Sequence, residues 1–132
     1  PVMARALQRW EETGFARVDY VTKGHNPWTE HYSAVQADVP DPTDPGTQLN
    51  TRLIRTLENA DVVALSGQAL SHCVANTVRD IADYLGQESV RKLVLIEDTS
   101  SPVPGFEELA RQFLASMRQR GMKTAKAAEF RC

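Results

Sequence analysis

Two short apolar runs, set a helix-length apart, constrain this chain more than any other feature of its 132 residues. Asp61-Val62-Val63-Ala64-Leu65-Ser66 ends at Gly67, and Lys92-Leu93-Val94-Leu95-Ile96 ends at an acidic turn. Runs without polar alternation suit strands covered on both faces, as in a parallel sheet. A parallel pair needs a crossover. Val74, Thr77, Val78, Ile81 and Leu85 supply one, as a helical face closed by Gly86.

The flanking sequence continues the alternation. Met3, Leu7 and Trp10 mark a first helix with Gly14 as its stop, and Val18, Tyr20 and Val21 mark a short strand. Residues 23–46 read as loop, since Pro40-Asp41-Pro42-Thr43-Asp44-Pro45-Gly46 excludes regular structure. Leu49, Leu53, Ile54 and Leu57 form an amphipathic helix. Phe106, Leu109, Phe113, Leu114 and Met117 form another, stopped by Gly121, and residues 123–128 follow as an edge strand. The expectation is one α/β domain over residues 1–132, a mostly parallel sheet flanked by helices. The chain opens with Pro1-Val2-Met3 and no initiator Met, so it was processed or is a piece of something longer.

Composition narrows the function classes. A formal net charge of -2 without a long run of one sign gives no footprint for nucleic acid or an anionic membrane. No apolar run approaches the roughly 20 residues that span a bilayer. Cys73 and Cys132 are too few for a disulfide framework or a thiolate zinc site. A reducing, cytoplasmic setting and a free Cys73 thiol are the default expectation, and Cys132 has no assignable role.

In parallel sheets ligands sit at the carboxyl ends of the strands. Two segments qualify, one after Val21 and one after Ser66. In the second, Cys73 lies between strand and helix, where the helix N-terminus favours a thiolate and unpaired N–H groups can receive an oxyanion. The alternative is a small core residue, since free cysteine is often buried. His72 to Arg79 also fits the His-Cys-x5-Arg spacing of tyrosine-phosphatase-type enzymes. That chemistry needs a loop curled around phosphate, usually with glycine. Residues 74–78 contain none and read as helix, so the match is taken as chance.

The first segment is Lys23-Gly24-His25-Asn26-Pro27-Trp28-Thr29-Glu30-His31-Tyr32-Ser33-Ala34. Lys23 at a strand mouth could stabilise a thiolate, or be an ordinary solvated lysine. His25 and His31 lack metal-site spacing. Trp28 and Tyr32 could wall a pocket for a flat ligand or pack the loop down.

Taken together these segments resemble the nicotinamidase/isochorismatase-like cysteine hydrolases. Lys23-Gly24 followed by Tyr32-Ser33-Ala34 resembles that family's lysine segment. Gly67-Gln68-Ala69-Leu70-Ser71-His72-Cys73-Val74, with Thr77 and Asp80 behind it, resembles the nucleophile segment, and Leu93-Val94-Leu95-Ile96-Glu97-Asp98 the strand that follows. The resemblance implies a three-layer α/β sandwich and a Cys–Lys–Asp triad that cleaves amides. Cys73 would be the nucleophile and Lys23 its cationic partner. The N–H groups of Ala69 and Cys73 would form the oxyanion hole, with a cis Gln68–Ala69 bond, and Trp28, Tyr32 and His72 would contact substrate. Cysteine at position 73 points away from the isochorismatase branch, which lacks this thiol.

Departures from the family pattern are equally specific. No residue before Lys23 matches the catalytic aspartate, and Asp19 is not its equivalent. The divalent-metal ligands of nicotinamidases lie upstream of the lysine segment and have no counterpart, so no cofactor or metal is assigned. The family's first two strands are missing, which would leave the strand around Val18 without a neighbour. The expectation is therefore an N-terminally incomplete cysteine-hydrolase domain. Its leading activity is hydrolysis of a small carboxamide, nicotinamide to nicotinate and ammonia being the best single choice. Ureido or carbamoyl compounds and a non-catalytic α/β domain are the alternatives. A small-molecule amide is the expected partner, and a homo-oligomer is compatible with these residues.

Overall fold

The computed structural model describes residues 2–131. Among them, β1 (Val63–Leu65), β2 (Leu93–Ile96) and β3 (Lys123–Ala125) form one sheet in that order. Both neighbouring pairs are parallel, with Val63 opposite Leu93 and Val94 opposite Lys123. Helix bridges each parallel step: α3 (Ala75–Leu85) and the short α4 (Gln87–Val90) join β1 to β2, and α5 (Glu107–Gln119) joins β2 to β3. Two helices precede the sheet, α1 (Val2–Gly14) and α2 (Thr51–Glu58). The α/β class expected from the apolar runs is the observed one.

The core sits where these elements meet. All four residues of β2 are buried, as its central place demands. Helix α3 turns Ala75, Val78, Ile81 and Ala82 inward, and α5 turns Ala110, Phe113 and Met117 inward, at helical spacing. They join Val63, Val90, Leu93 and Leu95 in one cluster. Each large side chain so buried stabilises the fold by roughly 1.5–3 kcal/mol before its ordering entropy is counted. Helix α2 starts where the Asn50 side chain accepts from the Leu53 N–H at 3.0 Å, an N-cap satisfying one of the first orphan donors.

Five elements differ from the sequence expectation. Residues 18–21 form no strand, and Tyr20 is 77% exposed, because no strand lies beside them to supply hydrogen-bond partners. β1 is not covered on both faces: of its three residues only Val63 is buried, and Val62 beside it is 54% exposed. Gly14 does not end α1 by its own conformation; Phe15 takes the left-handed backbone, with φ 49°. Phe106 precedes α5 and is exposed rather than on its buried face. β3 stops at Ala125, and Cys132 lies outside the described residues. Among the described residues no helix is long and apolar enough to cross a membrane.

Candidate active site

β1 leads through Gly67 into the cysteine segment. A Cβ on Gly67 would lie 2.6 Å from Val74 Cγ2, so only glycine lets the strand exit pass against the turn it feeds. The chain stays extended long enough to pair with Ser101, whose N–H donates to Gln68 O at 3.0 Å and whose carbonyl accepts from Leu70 N at 2.9 Å. It then winds as one π-helical turn, Leu70–Val74, directly into α3. Cys73 is thereby a half-buried free thiol at the start of a helix. The Ala69 carbonyl closes the turn, accepting from His72 N and Val74 N, each at 3.1 Å.

The expected cis bond between Gln68 and Ala69 is not there: no cis peptide occurs among the described residues. The pairing to Ser101 on both sides of Ala69 is that of ordinary extended backbone, which a trans bond satisfies.

Lys23 comes from the loop ahead of α2. Its Nζ lies 3.7 Å from Cys73 Sγ and donates to the His31 carbonyl at 3.0 Å. Gly24, at φ 73°, turns the chain so that its N–H donates to His31 Nδ1 at 3.2 Å. Burial first, then the positive charge of Lys23, holds His31 below its ordinary value, which suits a ring nitrogen that must stay unprotonated to accept. His25 Nε2 instead faces Asp44 Oδ2 at 3.5 Å. Both histidines therefore brace the loop. With these partners, and no cluster of three metal-ligating groups among the described residues, the donor set does not fit the divalent ion of nicotinamidases.

A small aromatic wall stands beside the thiol. The Tyr32 and His72 ring centroids are 5.8 Å apart, and His72 meets Phe106 edge-on at 4.8 Å. His72 Nδ1 is 2.9 Å from Ser71 Oγ, which also accepts from Val103 N–H at 3.0 Å. Ser71 is buried, and its hydroxyl proton has no other acceptor among the described residues. The network therefore places that proton on the Nδ1 bond, and a neutral His72 presents Nε2–H as its donor. Trp28 does not join the wall: it is 88% exposed and pairs with no ring among the described residues.

Of the residues expected at the site, Lys23, Tyr32, Ala69, His72 and Cys73 are brought to one end of β1, and Trp28 is left in solvent. Ser71 and Phe106 were missed. Ser71 carries no motif of its own, but Phe106 follows the turn after β2, another carboxyl strand end, and that position was the available signal. The phosphatase spacing dissolves in three dimensions. Arg79 rides on α3 with its guanidinium 5.4 Å from the Phe113 ring centroid, held by cation–π contact rather than wrapped around an anion near the thiol.

The fold of this chain is shared, over part of their length, with two solved nicotinamidases. The solved Acinetobacter baumanii nicotinamidase/pyrazinamidase matches with TM-score 0.53 and 23% identity, covering 74% of this chain and 42% of its own. The yeast nicotinamidase Pnc1p matches with TM-score 0.60 and 19% identity, covering 92% of this chain and 50% of its own. The chain thus spans half or less of the length of these enzymes, and at such identities the likeness is one of fold. No protein-family model and no curated protein matches the sequence.

Proposed function

We propose that this chain carries the nucleophile part of a cysteine-dependent amidohydrolase acting on a small carboxamide, with nicotinamide the first candidate. The observation that carries it is Lys23 Nζ at 3.7 Å from Cys73 Sγ, at the start of a helix, within a nicotinamidase-like fold. In this reading Cys73 Sγ attacks the amide carbonyl carbon, and its oxygen takes the electron pair. The N–H groups of Ala69 and Cys73 receive that oxyanion, and Lys23 balances the charge. When the C–N bond breaks, the nitrogen takes the proton that the Cys73 thiol gave up and leaves as ammonia, and an acyl thioester remains. Water then cleaves the thioester to the carboxylic acid and restores the thiol. Tyr32, His72 and Phe106 would hold a flat substrate, with His72 offering Nε2–H to an acceptor on its ring.

The remaining strands and the acidic member of the triad would come from sequence outside this chain. Supporting that are the unpaired outer edge of β1 and the 42% and 50% coverage of the two enzymes. Among the described residues no carboxylate is hydrogen-bonded or ion-paired to Lys23, which favours a second reading, a non-catalytic α/β domain. Ammonia release from nicotinamide, and from a panel of other carboxamides and ureido compounds, separates the two. The assay uses this chain alone and joined to its natural flanking sequence. Release lost in Cys73→Ala is the expected result; silence from both forms across the panel would leave the non-catalytic domain.

A further inference from the structure

We propose that Thr77 is a positioning residue that sets Lys23 against Cys73, an inference that rests on the Lys23–Cys73 pairing above. Cys73, Thr77, Asp80 and Tyr84 recur at helical spacing along one face running from the π turn through α3. The same face that presents the nucleophile therefore docks the loop that presents the cation. Thr77 Oγ1 accepts from Ala34 N–H at 3.0 Å. Tyr84 Oη donates to Gln36 Oε1 at 3.0 Å, on the exposed rim.

The docked segment is otherwise well anchored. Val35 is 1% exposed in the core, its carbonyl accepts from Asn50 N at 2.7 Å, and its N–H donates to Ser33 Oγ at 3.0 Å. Ser33 is itself buried. Two residues upstream, the His31 carbonyl receives the Lys23 ammonium. The site of that carbonyl, and with it the cation, follows from where residues 33–36 sit on α3.

A charge-sensitive measurement separates positioning from packing. In the full chain carrying Cys132→Ser, so that Cys73 alone reacts, alkylation is timed with anionic iodoacetate and with neutral iodoacetamide. The ratio of the two rates reports positive charge at the thiol and cancels changes in general access. Lys23→Met should lower the ratio roughly fivefold. Thr77→Val should lower it at least about twofold, and add nothing further in the Lys23→Met background. Thr77→Ser, which keeps the acceptor, should restore it. Thr77→Ala removes the same acceptor and gives the same fall even if Thr77→Val does not fold. A fall with Lys23→Met, but wild-type ratios for the Thr77 variants, overturns the positioning role and leaves the pairing intact. An unchanged ratio in Lys23→Met removes the pairing itself, and this inference with it.

Discussion

His31 holds the Lys23 turn through a nitrogen that works only while it is unprotonated. Its Nδ1 accepts the Gly24 N–H, and burial and Lys23 both keep its folded value below the ordinary 6.5. A histidine depressed in this way contributes stability that is complete above 6.5 and is lost as pH falls through the lower, folded value. Protonation would then turn the acceptor into a donor facing another donor. We expect the Gly24 amide resonance to be constant above pH 6.5 and to shift as pH falls below it. His31→Phe should abolish that titration. An amide that ignores pH would mean that the Gly24–His31 bond does not form in solution.

At the scale of elements, glycines act through two different physical constraints. Gly67 is required by contact, because a Cβ would collide with Val74. Gly86 is required by backbone: it ends α3 and begins α4 at φ 77°, ψ 167°, a region essentially reserved for glycine, yet a Cβ there would meet nothing within 4 Å. Gly86→Ala should therefore destabilise the chain by about 1–3 kcal/mol without disturbing the core. The loss should appear in the urea midpoint with an unchanged slope. A midpoint equal to wild type would show that the α3–α4 junction relaxes into another conformation. Helix α1 is the opposite case, a helix set by local spacing with none of its residues buried.

For the whole molecule the consequential feature is an uneven surface. β1 is an edge strand with Val62 exposed, and Met3, Trp10, Phe15 and Tyr20 all show more than half of their surface to solvent. An unpaired edge with an apolar side chain beside it is a template for strand addition. The chain on its own should self-associate, its average mass in sedimentation rising with concentration. Val62→Lys should suppress that rise by placing a charge beside the edge. A monomer at all concentrations in the unmodified chain would show that residues 2–21 cover the edge in solution.

Local chemistry made much of this legible. The apolar runs became β1 and β2 because strand preference lies in the runs themselves, though only β2 is buried throughout, and Gly86 and Gly121 ended their helices because backbone freedom is a property of the residue. The reactive residues were legible for a related reason: the carboxyl ends of parallel strands collect the loops that carry them. Distances were not legible. Lys23 and Cys73 are separated by the whole loop and α2, yet the fold brings them to 3.7 Å. The same limit explains the misses. A strand around Val18 depends on a neighbour, the Ala69 bond depends on its pairing with Ser101, and Trp28 packs only if a surface reaches it. By itself the sequence determined the α/β class, the helices and the chemical identities at the strand ends, since those follow from each residue and its near neighbours. The tertiary structure alone decided which of those groups meet, because hydrogen-bond partners and van der Waals neighbours come from parts of the chain that no local pattern connects.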